Sequence, residues 1–203
     1  MAIIIKKKLT PLIKAVNKID GRMMEMRLKT GGSIKDLLIL NTYAPHNGYD
    51  VETIKNYWGK VKAHISLTPR KYIKIWCTDN NGQVHRSIEN EHCVGEWTLG
   101  NKPDNANGDQ LIDCCDTNDL IIGNTFYKPK NGNINKLATW HSYDGNHAKQ
   151  LDYIIIDKRY RNWIKNICNK ENANDSNPMQ HRAIVAKIKI KLSGNFFKQK
   201  KRE

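Results

Sequence analysis

Short apolar segments recur along the whole chain, and several alternate apolar with polar positions, which predicts β-strands. The clearest is 183–192, where an apolar residue occupies every second position and Lys187, Lys189 and Lys191 lie between them. One face of this strand is therefore predicted to meet water. The other predicted strands are residues 2–5, 23–28, 37–42, 72–77, 120–124, 151–156 and 163–167.

Two segments have the spacing of amphipathic helices. In the first, apolar residues recur at intervals of three and four positions, and Asp50 precedes them as a predicted N-cap. These apolar residues are Val51, Ile54, Trp58, Val61 and Ile65. The second helix is predicted over residues 109–117, with an apolar face made of Leu111, Ile112, Cys114 and Cys115.

The many short strands, with helices between groups of them, predict an α/β fold in the form of a two-sheet α/β sandwich. A sheet of strictly alternating parallel strands fits less well, because strands 23–28 and 37–42 are separated by a short glycine-containing turn that favours a hairpin. We expect one domain over residues 1–192, followed by a basic tail at 193–203.

The charge balance adds a prediction about partners. The 203-residue chain carries 34 Lys and Arg against 20 Asp and Glu, a net charge of +14, which favours a polyanionic partner such as nucleic acid. The alternative is codon usage in an AT-rich genome, since Lys, Asn and Ile are all abundant. The sequence indicates no obligate protein partner.

The sequence contains neither a membrane-span pattern nor a signal-peptide pattern. The apolar runs are far shorter than the ~20 residues that span a bilayer, and residues 3–5 are too short for the core of a signal peptide. The five cysteines are an odd number, which without a signal peptide favours a reducing compartment. We therefore expect an intracellular protein, nuclear or cytoplasmic, with no membrane partner.

Residues that can bind phosphate, metal or a proton lie at the mouths of four predicted strands. They are Tyr43 and His46 in the first segment, Asp79 and Asn81 in the second, Trp140 and Asp152 in the third, and Gln180 and His181 in the fourth. Because functional groups are concentrated where strands give way to loops, the Asp, Asn, Tyr and His side chains are predicted to converge on one cleft.

In order and spacing, these segments resemble the endonuclease/exonuclease/phosphatase superfamily, and within it the endonucleases of non-LTR (LINE-type) retrotransposons and the craniofacial development protein 2-like chains. The resemblance runs from residue 3 to residue 192 and includes connecting motifs at 107–111, 118–120, 124–126 and 139–140. It implies a two-sheet α/β sandwich with the active site at one edge of the sheets. It also implies Mg²⁺-dependent hydrolysis of a phosphodiester or phosphomonoester.

The resemblance further implies a role for each catalytic candidate. His181 matches the base or phosphate-contacting histidine, and Asp152 matches the carboxylate that orients it. Asp79 and Asn81 match the pair that positions the nucleophile and the phosphate, with Asp79 as a metal ligand. Together these four residues form the predicted catalytic set.

The same resemblance implies a substrate-binding set. Tyr43 and His46 match phosphate-contacting positions after a Tyr-Ala-Pro strand. Trp140 joins them as a candidate for stacking on a base, although packing in the core is the favoured interpretation for this residue.

The chain departs from the family pattern around the metal. The family's first two strands carry a metal-binding Glu, and this chain opens at what resembles the next strand, so we expect the sandwich to lack its first strands. Thr78 replaces a Gly, and Gln180 occupies the position of an Asp that is a metal ligand in the family. Mg²⁺ prefers anionic oxygens, so Asp79 as the main carboxylate predicts weak Mg²⁺ binding and weak or absent catalysis.

Three functional hypotheses follow. The chain is an enzyme that nicks DNA, or a non-catalytic nucleic-acid-binding protein on an inactive nuclease fold, or a fragment whose exposed sheet edges prevent stable folding. The reduced negative charge of the metal site favours the second hypothesis over the first.

Overall fold

The apolar segments of the sequence form a mixed sheet with helices on one face. The computed structural model describes residues 1–30, 36–100, 106–170 and 180–190. The helices in these ranges are α1 (Val51–Leu67) and α2 (Ala106–Thr117). The strands are β1 (Ile13–Lys18), β2 (Met23–Leu28), β3 (Leu37–Tyr43), β4 (Ile73–Asp79), β5 (Leu120–Ile122), β6 (Trp140–His141), β7 (Ala148–Lys149), β8 (Asp152–Asp157), β9 (Ile164–Lys170) and β10 (Ala183–Ile188).

Six strands form the central sheet in the order β1-β2-β3-β4-β8-β5. Its pairs are antiparallel except β3 and β4, which run parallel because α1 connects them as a crossover. The strands β9 and β10 pair antiparallel as a second small sheet, and β6 pairs with β7 in a two-residue ribbon.

The two faces of the central sheet are covered differently. The helices cover one face, where Trp58 and Val61 of α1 and Leu111 of α2 pack with Leu40 and Trp76 of the sheet. The β9–β10 sheet covers the other face, and its contacts there involve the isoleucines Ile121, Ile154, Ile156, Ile164, Ile167 and Ile184. Alternation along β4 and β8 assigns one set of side chains to each face.

The predicted α/β class with two sheets is confirmed, as are both amphipathic helices. The side chain of Asp50 accepts a hydrogen bond from the backbone N–H of Thr53 at 2.8 Å, as an N-cap does. The predicted wet face of the last strand is also present, because Lys187 and Lys189 are exposed. The basic tail at 193–203, the end of the last predicted strand at 191–192 and the glycine turn at 31–35 lie outside the described residues.

The predicted strand at residues 2–5 is wrong. Ile3 and Ile5 pack beside a buried cluster that contains Leu12 and Met26, but this segment has no strand assignment. The position beside β2 is taken by β1 instead, whose backbone forms the antiparallel ladder. A strand requires a partner for its backbone groups, and apolar alternation alone does not supply one.

No helix within the described ranges is both long and apolar enough to cross a membrane.

A pair of neighbouring aromatic residues on α1 gives a test of this packing. The buried indole N–H of Trp58 donates to Asn107 Oδ1 at 2.8 Å, so Trp58→Phe removes this buried hydrogen bond. We expect this variant to lower the free energy of unfolding by about 2–4 kcal/mol, measured by urea denaturation. The matched control is Tyr57→Phe, since the buried Tyr57 hydroxyl has no hydrogen-bond partner among the described residues. Equal losses in both variants would contradict this account.

Candidate active site

The register of two neighbouring strands brings two carboxylates together. In the antiparallel pair of β4 and β8, Asp79 lies directly opposite Asp152. On the other side of β4, Asp79 is the register partner of Tyr43 at the end of β3. Three of the residues predicted from strand ends therefore lie in one row at the edge of the central sheet.

His181 completes this row from the β9–β10 side of the molecule. Its Nδ1 lies 3.0 Å from Asp152 Oδ2, which is a hydrogen bond, and its Nε2 lies 3.9 Å from Asp79 Oδ2. The predicted pairing of Asp152 with His181 is thus present. The ring is 41 % exposed, so a ligand can reach Nε2.

Backbone hydrogen bonds to the segment around β6 hold His181 in place. His181 forms a β-bridge with Trp140, the N–H of His141 donates to the carbonyl of Gln180 at 2.8 Å, and the N–H of Arg182 donates to the carbonyl of Thr139 at 2.7 Å. These bonds fix the histidine, which one residue separates from the start of β10.

The same segment fixes Asp152 through a buried hydroxyl. Thr139 is fully buried, and its Oγ1 accepts hydrogen bonds from the N–H groups of Leu151 at 2.9 Å and Asp152 at 3.0 Å. Asn124 supports the strand from the other side, since its Nδ2 donates to the Asp152 carbonyl at 3.1 Å and its Oδ1 accepts from the N–H of Ile154. Thr139 therefore joins the segments that carry the acidic and the histidine groups.

A buried amide network supports the loops that follow β3 and β4. Asn107 on α2 donates to the Pro45 carbonyl at 2.8 Å. Asn80, which is also buried, donates to the carbonyls of Gly82 and Asn107. The position of Asp79 is thereby connected to the helical layer.

The electrostatics of the carboxylates follow from their closeness and burial. Burial raises the pKa of Asp79 to about 6, and the nearby charge of Asp152 adds to the rise, while the N–H of Asn81 and the His181 ring oppose it. The hydrogen bond that His181 donates to Asp152 raises the pKa of His181, against the opposing effect of burial. Both pKa shifts favour the protonated form of the group, so this edge of the sheet stabilises added positive charge.

An open cleft of about 580 Å³ adjoins the row. Its polar lining includes Tyr43, Asp79, Asp152 and Arg182, and its apolar lining includes Cys77, Ile154 and Ile184. The cleft lies on the face of the central sheet that β10 also approaches. It is large enough to admit a phosphate ester with part of its substituents.

The remaining predicted residues take up different positions. Asn81 adopts a left-handed backbone conformation with φ of 47°, and its side-chain amide donates to the Ala44 carbonyl at 2.8 Å. The Tyr43 ring, on the cleft, carries the Arg22 guanidinium 5.4 Å from its centroid. Trp140 and Gln180 are half-buried; Trp140 lies opposite His181 in the β-bridge, and the Gln180 carbonyl accepts the N–H of His141.

His46 is turned toward its own loop. Its Nδ1 accepts a hydrogen bond from the N–H of Gly48 at 3.0 Å, and its ring contacts Tyr49 with centroids 4.7 Å apart. It is exposed and is not among the residues that line the cleft. Its predicted contact with phosphate stays a prediction.

Several solved structures with a similar fold are DNA-processing enzymes. A 3′ phosphatase from Neisseria, bound to a product DNA hairpin, superposes with a TM-score of 0.62 at 10% identity over 88% of this chain and 72% of that one. An AP endonuclease from Archaeoglobus fulgidus gives 0.60 at 11% identity, over 88% and 72% of the two chains. The endonuclease domain of TRAS1, a telomere-specific non-LTR retrotransposon, gives 0.53 at 17% identity, over 83% and 64%.

The chain has the endonuclease/exonuclease/phosphatase fold. It matches no protein-family model. It is 27% identical over 192 residues to craniofacial development protein 2 from Tragulus javanicus and from Bos taurus, which covers 95% of this chain. The chain spans about a third of the length of these curated relatives, 32% and 31% respectively.

Enzymes of the endonuclease/exonuclease/phosphatase fold use a divalent cation, and the side chains present here fit one in part. Among the described residues, one group of His, Cys, Asp or Glu side chains, namely Asp79, Asp152 and His181, has ligand atoms all within 4.8 Å of one another. Asp152 is bound to His181, so Asp79 is the carboxylate that remains for a cation. Mg²⁺ is often held by one or two carboxylates together with substrate phosphates, and this donor set suits that arrangement.

The sequence did not indicate a role for three residues that contribute to this candidate site. Thr139 and Asn124 lie in the connecting motifs at 139–140 and 124–126, but their hydrogen bonds to β8 are visible only in three dimensions. Arg182 follows His181 directly and brings a cation to the cleft. The available signal was their presence in motifs shared with the superfamily, which carries no information on contacts.

Thr139 offers a direct test of how the site is supported. Thr139→Val keeps the shape of the side chain but leaves the buried N–H groups of Leu151 and Asp152 without an acceptor. We expect it to lower the free energy of unfolding by about 2–4 kcal/mol, measured by urea denaturation. Thr139→Ser retains the hydroxyl and should cost only about 1 kcal/mol for the lost methyl group. A serine variant as unstable as the valine variant would contradict the hydroxyl's role.

Asp79 provides a pH-dependent test in the metal-free protein. Its pKa is about 6 in the folded chain, above the ordinary value of 3.8, so the folded chain binds this proton more tightly than the unfolded chain. Stability from this group is therefore present at low pH and is lost as pH rises from about 4 to about 6. In EDTA at about pH 7.5, Asp79→Asn should be more stable than the wild type by as much as about 3 kcal/mol.

The advantage of Asp79→Asn should disappear below about pH 4, where Asp79 is protonated in both states. Urea denaturation across this pH range measures it. A variant that is less stable than the wild type at neutral pH would contradict the electrostatic description of the site.

Proposed function

We propose that this chain is a LINE-type endonuclease domain that binds DNA and hydrolyses phosphodiester bonds weakly at the edge formed by Asp79, Asp152 and His181. The observation that carries the proposal is the 3.0 Å hydrogen bond between Asp152 and His181, with Nε2 of the same ring 3.9 Å from Asp79. A histidine oriented by one carboxylate beside a second carboxylate is suited to proton transfer at a phosphate.

The residues divide the work as follows. Asp152 holds the Nδ1 proton of His181, which leaves Nε2 to exchange a proton with water or to contact a phosphoryl oxygen. Asp79 would hold a divalent cation, which when bound neutralises charge on the phosphate. Asn81 anchors the loop after β4 through Ala44, and Tyr43 on the cleft would contact the substrate backbone, with His46 and Trp140 as further substrate-binding candidates.

The proposed rate is low because the negative charge available to a cation is small. Gln180 is neutral, whereas the superfamily pattern has an aspartate at the corresponding position. Since Asp152 is bound to His181, Asp79 is the main carboxylate for Mg²⁺. Removing one oriented electrostatic group from an active site commonly costs about 10²–10³ in rate.

The neutral side chain at position 180 favours a second function. A site with a neutral Gln180 supports a non-catalytic nucleic-acid-binding protein, in which the fold and its basic surface are used without hydrolysis. The two functions differ in whether bound DNA is cleaved.

Nicking of supercoiled plasmid in Mg²⁺ tests the proposal, with DNA binding measured in parallel. We expect slow nicking by the wild type and a loss of about 100-fold or more in Asp79→Ala and in His181→Ala, with binding retained in both. The control is Asp116→Ala, which removes an exposed carboxylate on α2 and should leave the rate unchanged.

Two outcomes would overturn parts of this proposal. Nicking by Asp79→Ala at the wild-type rate would mean that the hydrolysis does not occur at this edge. Binding by the wild type with no nicking above the Asp79→Ala background would replace the weak enzyme with the non-catalytic binding protein.

A further inference from the structure

A second concave surface lies beside the candidate active site and is strongly basic. We call it the basic groove; its volume is about 490 Å³, and its cationic lining is Lys128, Lys130, Lys136, Lys170 and Arg182. The other lining residues are Asn166, Cys168 and Asn169, and none of the described residues that line it is acidic. Within the described part of the chain, the lining of the groove is therefore made of cationic and neutral side chains.

This concentration of charge exceeds what the composition of the chain supplies. Five of the eight described lining residues are Lys or Arg, whereas 34 of 203 residues in the whole chain are, about one in six. A third cavity contains Arg70, Lys74 and Arg159 but also Asp119 and Asp157, so its charges are balanced. Codon usage raises lysine everywhere and does not explain why the described lining of this groove is cationic while that of the third cavity is balanced.

The basic groove is continuous with the catalytic cleft through one residue. Arg182 lines both, and it is the chain neighbour of His181. Its backbone N–H is fixed by the Thr139 carbonyl at 2.7 Å. An extended ligand with its reactive group at Asp79 can therefore pass Arg182 and enter the groove without leaving the surface.

The wall of the groove is organised before any ligand binds. The Asn169 amide on β9 donates to three successive carbonyls, those of Lys136, Leu137 and Ala138, at 3.0, 3.0 and 2.9 Å. Lys128 lies over the Trp97 ring at 5.7 Å from its centroid. A groove whose backbone is already held loses little entropy when it binds a ligand.

We propose that the basic groove binds the phosphodiester backbone of the nucleic-acid strand that continues from the bond held at Asp79 and His181. This inference rests on the proposed function and adds the path of the substrate to it. Charges spaced along a concave surface suit the repeating phosphates of one strand. A bilayer surface suits the groove less well, since a flat array of headgroups meets a concavity only at its rim.

Two triple variants of matched charge test this proposal. In the groove variant, three exposed lysines are replaced: Lys128→Gln, Lys130→Gln and Lys170→Gln. In the control variant, Lys7, Lys55 and Lys71 become Gln; all three are exposed, and none lines the cleft or the groove. The sets are also matched in ring contacts, because Lys71 lies 5.7 Å from the centroid of the Tyr72 ring.

The measurement is the affinity for a labelled single-stranded oligonucleotide between about 50 and 200 mM salt. Each phosphate contact contributes about 0.7 to the slope of log K against log salt on single strands, so the groove variant should lose about 2 from the slope. The control variant should lose less than about 0.5. Equal losses in the two variants, or an unchanged slope in the groove variant, would overturn the groove proposal.

The outcome also separates this proposal from the proposed function. Wild-type binding that does not depend on salt would remove both, whereas salt-dependent binding that the groove variant retains would remove the groove alone.

A second measurement uses the unmodified chain and needs no variant to fold. Acetylation of lysines by an NHS ester, read by mass spectrometry, should slow at Lys130 and Lys170 by at least about fivefold when the oligonucleotide is present at saturating concentration. Acetylation of Lys55 and Lys71 should not change. Equal protection of all four lysines, or protection of none, would contradict a strand bound in the groove.

Discussion

Two carboxylates that face each other across neighbouring strands are the constraint on which the rest of the candidate site depends. The register of β4 and β8 places Asp79 opposite Asp152. Like charges placed opposite each other on neighbouring strands repel, and a positive group between or beside them offsets that repulsion. His181 is that group, and its raised pKa reflects the attraction. The site is arranged to hold positive charge, whether a proton, a cation or both.

Most of the surrounding structure keeps these three groups in place. Thr139 connects the backbone of Asp152 with the segment that carries His181, and the amides of Asn124 and Asn107 fix the neighbouring strand and loops. Each of these groups is buried or nearly so, and the side chain of each forms at least one hydrogen bond with the backbone. The catalytic candidates are therefore oriented by polar groups that do not themselves touch the cleft.

The sequence predicted local structure well where the apolar pattern of a segment agrees with its pairing and packing in the fold. Strand β2 has the predicted bounds at 23–28, and α1 begins after Asp50, because alternation, helical spacing and an N-cap are properties of neighbouring residues. It failed for β1, an edge strand rich in polar residues, and for residues 2–5, which are apolar but unpaired. Pairing is decided by distant parts of the chain, and the pattern of one segment does not contain that information.

In the candidate site, too, the sequence predicted some contacts, and others depend on distant parts of the chain. Strand ends and the family resemblance predicted that Asp152 would lie against His181, and the hydrogen bond is present. The contribution of Thr139, thirteen residues before Asp152 in the sequence, and the continuity of the cleft with a basic groove depend on three-dimensional contacts. The sequence did not indicate the hydrogen bond between the Gly48 N–H and His46 either. Such a local hydrogen bond competes with the predicted phosphate contact of His46.

Binding of a divalent cation at the sheet edge tests the central claim most directly. Mn²⁺ added in substoichiometric amounts to the isotope-labelled chain broadens the NMR signals of nearby groups, and Mn²⁺ takes the same hard oxygen ligands as Mg²⁺. The account predicts broadening centred on Asp79, Asp152 and the His181 ring, competed by Mg²⁺ and weakened in Asp79→Asn. Broadening centred elsewhere, or broadening that Asp79→Asn leaves unchanged, would contradict it.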